Sequence, residues 1–110
     1  MTTINIGTDF SDTPAGRYYA DGPWTGQFFR EKWLWPALEK HQNVRVEFDD
    51  AEGYGSSFLE EAFGGIVRYE LLSKGDLLAR LTLVSSDEAL VEEVLGYINE
   101  AVPGEREPRG

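Results

Sequence analysis

Hydrophobic side chains at every second position predict the strands of this chain. The alternation marks residues 3–7, which contain two isoleucines, and residues 43–50, where two valines and a phenylalanine alternate with polar neighbours. Residues 77–84 are predicted as a further strand, and residues 17–20 as a short additional one. Together these segments predict a sheet of about four strands.

Hydrophobic residues with the period of an α-helix predict a first helix that runs from Thr25, its expected N-cap, to about residue 40. Phe29 and Trp33 fall on one face of this helix, so we expect both in the core. Pro36 lies inside the pattern and has no backbone N–H. We therefore expect it to kink the helix or to end its first half.

Two further helices are predicted to begin at capping boxes, in which a serine caps the helix and a glutamate three residues later caps in return. Ser57 with Glu60 begins a helix that is expected to end near residue 72. Ser85 begins the last helix in the same way, and Pro103 ends it. The chain is therefore expected to have three main helices.

The alternation of strands and helices predicts an α/β fold in which helices back a mixed sheet. A length of 110 residues suits a single domain. We expect residues 1–102 to form this domain and residues 103–110 to be a disordered tail.

Charge and composition exclude several classes of function. Twenty acidic against ten basic residues give a formal net charge of −10, which disfavours nucleic acids and anionic membranes and suits a basic partner surface. The chain has no cysteine, so disulfides, thiolate catalysis and sulfur metal sites are excluded. No hydrophobic run approaches the roughly 20 residues of a membrane span. We therefore expect a soluble cytoplasmic protein.

A serine pair, Ser56 and Ser57, follows the second predicted strand and an acidic loop, at the start of the second helix. A helix N-terminus offers unpaired N–H groups and a partial positive charge, both of which favour phosphate. Ser57 is therefore either an N-cap alone or also a site of phosphorylation, and the two roles can coexist.

Other residues have both a structural and a functional interpretation. Arg17 and Arg30 can bind an acidic ligand or pair with the surplus carboxylates, and we favour the pairing. Gly64 and Gly65 can present a flat surface to a partner or allow close helix packing, and we favour the packing. Trp24 is expected to be partly exposed, as is typical of an interface residue.

The segments around the serine pair resemble a known family. Residues 44–49 (Val-Arg-Val-Glu-Phe-Asp) and residues 55–65 (Gly-Ser-Ser-Phe-Leu-Glu-Glu-Ala-Phe-Gly-Gly) are similar to the STAS-like domain family of unknown function. The segment at residues 26–30 (Gly-Gln-Phe-Phe-Arg) fits as well. The resemblance implies a small STAS-like sandwich over residues 1–102, with a mixed sheet of about four strands and three main helices.

STAS domains proper include the anti-sigma-factor antagonists, in which a kinase-like ATPase phosphorylates a hydroxyl residue at a helix start and thereby switches binding. The resemblance implies a non-enzymatic regulatory protein-binding module, with Ser57 as the candidate phosphoacceptor and Ser56 as the second. Gly55 stands where those proteins have an aspartate. The residues implied to contact the protein partner are Gly55, Ser56, Ser57, Glu61, Arg30 and Trp24.

Two alternatives to this hypothesis stay open. One is a structural homo-oligomer, such as a homodimer, or a small-ligand-binding module without phosphorylation. The other is an enzyme, such as a metal-assisted hydrolase. Ser57, His41 and Asp49 also supply the residue types of a Ser-His-Asp hydrolase. No Gly-x-Ser-x-Gly turn surrounds the serine, and no known metal-ligand spacing is present. We therefore predict a protein that is not an enzyme and has no metal or cofactor.

Overall fold

The computed structural model describes residues 2–105. Its sheet has three parallel strands in the order β1-β2-β3. Ile4, Val46 and Leu83 lie side by side across this sheet. The strands are β1 (Thr2–Asn5), β2 (Val44–Glu47) and β3 (Leu81–Val84). The predicted α/β class is confirmed, but the sheet of the described residues has three strands rather than about four and is parallel rather than mixed.

The additional strand that was predicted at residues 17–20 does not form. The backbone there bends into a 3₁₀ turn over Tyr19–Asp21. The Asp21 carboxylate accepts hydrogen bonds from the backbone N–H groups of Arg17 (3.3 Å) and Tyr18 (2.8 Å). A side chain that bonds the local backbone in this way offers an alternative to sheet pairing, and here it closes a loop.

Besides the 3₁₀ turn and a π-helical turn over Ile6–Phe10, the described residues form four longer helical segments. Two of them, α1 and α2, contain a π-helical turn between two α-helical parts. The short helix α3, which lies between α2 and β3 in the sequence, was not predicted. The bounds are α1 (Gly26–Phe29, Arg30–Leu34 and Trp35–Lys40), α2 (Ser56–Leu59, Glu60–Gly64 and Gly65–Arg68), α3 (Lys74–Arg80) and α4 (Glu88–Glu100).

The core lies between the helical layer and one face of the sheet. Val44 and Val46 of β2 are fully buried, while Thr3 and Thr82 on the other face are exposed. Helix α2 occupies the centre of the helical layer, packs against α1 and α4, and is buried throughout residues 61–68. A helix that is buried on nearly all sides also buries charged residues that it carries. Buried charged residues of α2 therefore form part of the site described below.

The π-helical turn of α1 changes which residues enter the core. The Trp35 N–H donates to the carbonyl oxygen of Arg30, five residues earlier, which inserts one residue into the helix. Leu34 is therefore fully buried and Trp33 is 36% exposed, so the prediction that Trp33 lies in the core is wrong. Pro36 follows the turn, and the helix continues through it to Lys40 rather than ending.

Both capping boxes were predicted at the wrong residue. Gly55, not Ser57, is the N-cap of α2, with extended backbone angles that glycine accepts readily. Asp87, not Ser85, is the N-cap of α4, and its carboxylate accepts hydrogen bonds from two backbone N–H groups of the first turn. Because aspartate caps at least as well as serine, the helix begins two residues later than expected.

The segment after α2 also differs from the prediction. Helix α2 ends at Arg68 instead of near residue 72, because Glu70 adopts a left-handed φ of 60°. The Ser73 hydroxyl then accepts a hydrogen bond from the Asp76 N–H (3.1 Å) and begins α3. Residues 77–80, predicted as strand, are therefore helical, and only the last four residues of that prediction form β3.

The chain leaves α4 through a short segment that contacts α2. The Gly104 N–H donates to the carbonyl oxygen of Arg68 (2.8 Å). Residues 106–110 of the predicted tail lie outside the described residues. Within the described part of the chain, no helix is long and hydrophobic enough to span a membrane.

Candidate functional site

The serine pair opens α2 at the edge of a cavity. Ser56 and Ser57 are the first two helical residues, and both are exposed. They line a cavity of about 440 Å³ together with two arginines, Arg17 and Arg68, and with Tyr97 of α4. The serine hydroxyls therefore face a space that also contains guanidinium groups, the side chains that bind oxyanions most specifically.

Three separate parts of the chain build this cavity. The loop before α1 contributes Arg17, and the first turns of α2 contribute the serine pair and Glu60. The end of α4 and the segment after it supply the remaining wall, with Tyr97, Glu100 and Val102 among its residues. The cavity thus combines two guanidiniums with carboxylates and a hydrophobic wall.

Beneath the cavity, two neighbouring glutamates of α2 bind three arginines. Arg17 and Arg68 both pair with Glu60, the latter at 2.5 Å between Nη1 and Oε2. Glu61 accepts from Arg30 Nη1 at 2.5 Å and from Arg68 Nη2 at 2.8 Å. Glu61 is fully buried, and Arg30 and Arg68 are 4% and 2% exposed. The network therefore supplies the paired and hydrogen-bonded environment that buried charges require.

The two π-helical turns and two glycines bring α1 and α2 together at this network. Arg30 begins the π-helical turn of α1, and Glu61 lies in that of α2. A Cβ atom on Gly65 would come within 2.6 Å of Arg30 Nη1, and one on Gly26 within 2.5 Å of the Phe58 carbonyl oxygen. A side chain at either position would have to displace these neighbours, which supports the close-packing interpretation for Gly65.

Tyr69 covers the network from the outside. The Arg30 guanidinium carbon lies 4.5 Å from the centroid of the Tyr69 ring, and that of Arg68 lies 5.3 Å from it. Both distances are within the range of cation–π contacts. Burial of Arg68 opposes its charge, but its contacts with Glu60 and Glu61 outweigh burial and raise the pKa of Arg68.

Tyr97 forms the opposite wall of the cavity from Arg17. Burial, and then the hydrogen bond that its hydroxyl donates to Glu93 (2.7 Å), raise the pKa of Tyr97 to about 12. The Ser56 hydroxyl acts on the same phenol in the opposite direction, which places the two hydroxyl groups next to each other. The Tyr97 hydroxyl therefore stays protonated at neutral pH, with its one proton donated to Glu93 and its oxygen able to accept.

The structure brings together only part of the predicted site. Gly55, Ser56 and Ser57 lie together at the start of α2. Glu61 and Arg30 are buried in the network, where no partner can reach their side chains without opening the fold.

Trp24 is not among the residues that line the cavity with the serine pair. It is 39% exposed, and its ring packs edge-to-face on Phe10 with a centroid distance of 5.5 Å. It therefore belongs to an aromatic cluster rather than to the cavity wall.

Among the residues of the cavity that the sequence reasoning missed are Glu60, Arg68 and Tyr97. Arg68 had a usable signal, because it is an arginine at the end of a helix that is otherwise hydrophobic on almost every side. Arg17 was identified, and its pairing with carboxylates was the favoured interpretation.

The residues of the hydrolase hypothesis are not assembled at the serine pair. His41 lies at the C-terminal end of α1, and neither it nor Asp49 lines the cavity with Ser57. The Asp49 carboxylate instead accepts from the Ser86 N–H (3.0 Å) and the Ser85 hydroxyl (3.1 Å). No group of three or more His, Asp or Glu residues that could hold a metal ion occurs within residues 2–105.

Comparison with known proteins places the chain in a family but gives no individual relative. No curated protein and no solved structure matches the chain. The family described as the STAS-like domain of unknown function (DUF4325) matches residues 25–90, which is more than half of the sequence. The match extends from the N-cap of α1 into α4 and includes the serine pair and the Arg30–Glu61 contact. The chain therefore belongs to the family of STAS-like domains of unknown function.

Proposed function

We propose that this protein is a non-enzymatic regulatory module that binds a protein partner through the start of α2, and that a kinase-like ATPase phosphorylates its serine pair. The resemblance to anti-sigma-factor antagonists ranks Ser57 first and Ser56 second. The observation that carries the proposal is the exposure of both serines at the opening of a cavity that contains two guanidinium groups.

The geometry suits a partner that approaches from outside the helix start. Phe58 and Leu59, directly after the serines, are fully buried, so the accessible surface here consists of the exposed Ser56 and Ser57 and the partly exposed Gly55. A partner that contacts this surface would read the presence or absence of a phosphoryl group directly. The contact set of the proposal is therefore these three residues rather than the larger predicted set.

Phosphorylation would change the charge of this surface without an additional reagent beyond ATP. The serine oxygen forms a bond to the γ-phosphorus, and the bond from that phosphorus to the bridging oxygen breaks. ADP leaves with the electron pair, and the hydroxyl proton passes to a base of the kinase. The product carries about −1.5 to −2 charges at neutral pH, which adds to a chain of formal net charge −10.

The test is affinity capture from a lysate of the native host with ATP present, followed by phosphosite mapping. We expect an ATPase to be recovered and phosphate to be found at Ser56 or Ser57, and we expect the variant with both serines changed to alanine to lose the phosphate. The matched control changes Ser85 and Ser86, the other serine pair before a helix. Equal loss of phosphate in the control, or binding that ATP and the first variant leave unchanged, would contradict the proposal.

A small-ligand-binding module is the second candidate, and the cavity favours it. Its volume of about 440 Å³ lies within the range of ligand pockets. A thermal shift caused by a small carboxylate or by inorganic phosphate, and abolished by Arg17→Gln, would support this function. No shift with any such compound would leave the cavity without a ligand role.

A further inference from the structure

The contact between Arg17 and Glu60 differs from the rest of the network in its exposure. The Arg17 side chain is 19% exposed, whereas those of Arg30 and Arg68 are 5% and 2% exposed. We propose that Arg17 and Glu60 form an exchangeable contact in which a phosphoryl group on Ser56 takes the Arg17 guanidinium from Glu60. This inference rests on the proposed function, because it describes how the same serine pair is regulated.

Helix geometry places Ser56, rather than Ser57, beside the exchangeable contact. Ser56 and Glu60 are four residues apart, so their side chains are neighbours on one face of α2. Ser57 has the same relation to Glu61, whose carboxylate is fully buried. A phosphoryl group on Ser56 would therefore lie next to the carboxylate that holds Arg17, with Tyr97 on its other side.

Electrostatics favour the exchange once the phosphoryl group is present. Like charges at this spacing repel, so a phosphoryl group and an unneutralised Glu60 destabilise each other. Arg17 can leave at little cost, because Glu60 keeps Arg68 at 2.5 Å. Glu61 loses little as well, since Arg17 lies 3.4 Å from it and Arg30 and Arg68 are closer. Arg17 is thus the most exposed guanidinium of the three, and its departure leaves Glu60 with Arg68 and Glu61 with its two closest partners.

A second observation concerns Arg68, a buried arginine at the wall of the cavity. Arg68 lines the cavity and is 2% exposed, yet its Nε has no hydrogen-bond partner among the described residues. An unsatisfied donor on a buried guanidinium is costly unless an acceptor is supplied. A phosphoryl oxygen near Ser56 is an acceptor of the right charge in this cavity.

Only the side chain of Arg17 needs to move. Its backbone N–H donates to the Asp21 carboxylate (3.3 Å), and its carbonyl oxygen accepts from the Gln27 N–H (2.9 Å) at the start of α1. These contacts do not involve the guanidinium. The exchange therefore changes the charge pattern around the serine pair without rearranging the loop before α1.

The experiment incorporates phosphoserine directly at position 56 during synthesis, so that no kinase is required. The phosphorus NMR signal is followed over pH in this protein and in the same protein with Arg17→Gln. The second pKa of a phosphoryl group is ordinarily about 6. We expect it to be lower by at least about 0.5 unit when Arg17 is present than when it is absent, because a nearby cation favours the dianion.

Two further proteins test whether the pKa shift is specific to position 56 and to the guanidinium group of Arg17. The second pKa of phosphoserine at position 57 is expected to depend less on Arg17. With phosphoserine at position 56, Arg17→Lys is expected to retain part of the pKa shift, because lysine keeps the charge but not the bidentate geometry. Equal pKa values with and without Arg17 at position 56 would overturn the proposal, as would a dependence confined to position 57. Failure to find a kinase would contradict the proposed function alone and would leave this titration unaffected.

Discussion

Two ion pairs formed by adjacent residues of α2 have opposite environments. The inner pair, Arg30 with Glu61, is buried: the carboxylate is fully inaccessible and the arginine is 4% exposed. The outer pair, Arg17 with Glu60, lies at the cavity, with side chains that are 19% and 16% exposed. One peptide bond thus separates a carboxylate held inside the fold from one that solvent reaches.

The difference follows from what each glutamate faces. Glu61 points towards α1 and the Arg30 guanidinium. Gly65 of α2 leaves space for this guanidinium, and the Tyr69 ring covers it. Glu60 points towards the cavity and the loop that carries Arg17. Water can replace a partner of Glu60, but it cannot replace a partner of Glu61. The inner pair is therefore a fixed part of the fold, and the outer pair is the one that a regulator can exchange.

The strongest test of this comparison is Glu61→Gln. Removing the carboxylate takes the nearest negative charge from the buried Arg30 guanidinium, which keeps only the Glu61 carbonyl oxygen and the more distant Glu31. This is expected to lower the free energy of unfolding by about 3–5 kcal/mol. Urea denaturation of the purified variant measures this. Glu60→Gln is the matched control, and its effect is expected to be clearly smaller. Equal effects of the two substitutions would show that the two glutamates do not differ as described.

A second test addresses the π-helical turn of α1, which begins at Arg30. Because this turn brings Leu34 into the core in place of Trp33, Leu34→Ala is expected to cost about 2–5 kcal/mol of unfolding free energy. Trp33→Ala removes the larger side chain, yet it is expected to cost about 1 kcal/mol or less, because the ring is partly exposed. Urea denaturation of both variants gives the ranking. The reverse ranking would mean that α1 is a regular α-helix without the π-helical turn. The position of Arg30 in the inner pair would then be wrongly described.

The sequence predicts the strands and helices of the central part of the fold because these depend on local pattern. The valines of β2 and the hydrophobic face of α4 are examples, with Val94 and Ile98 buried as that pattern requires. The serine pair at a helix start is also local, and the prediction was wrong by only two residues at the N-cap.

The inner pair could not be predicted in the same way. It joins residues that are 31 positions apart, and each lies in a π-helical turn that only the packing of α1 on α2 stabilises. A regular period therefore assigned Trp33 to the core, and Glu61 was named only as a partner contact that the family resemblance implies. Residues 74–80 show a different failure, because Leu77 and its neighbours suit a helix as well as a strand, and the Ser73 cap was overlooked.

A third test concerns the outer pair. Arg17→Gln is expected to lower the free energy of unfolding by about 1 kcal/mol or less, because Glu60 keeps Arg68 and solvent reaches the contact. Salt separates this pair from the inner one. In 1 M NaCl the difference between the variant and the natural protein is expected to shrink, whereas the effect of Glu61→Gln is expected to persist. A large effect of Arg17→Gln that salt does not reduce would make the outer pair as fixed as the inner one.

The smallest effect is expected at Asp49, a carboxylate that is held by hydrogen bonds on the surface rather than by arginines. The backbone N–H of Ser86 is the largest cause of its lowered pKa. Burial opposes this lowering, and the hydroxyls of Ser85 and Ser86 add to it. A carboxyl group whose pKa is lower in the folded state stabilises the fold above its unfolded pKa of 3.8 and loses this contribution as the pH falls through the folded value.

Asp49→Asn keeps an oxygen acceptor for these donors but removes the charge. The urea midpoint of the variant is therefore expected to lie slightly below that of the natural protein between about pH 5 and 8, and the two midpoints are expected to converge below about pH 3.8. A difference that stays constant down to pH 2 would show that the charge of Asp49 contributes nothing.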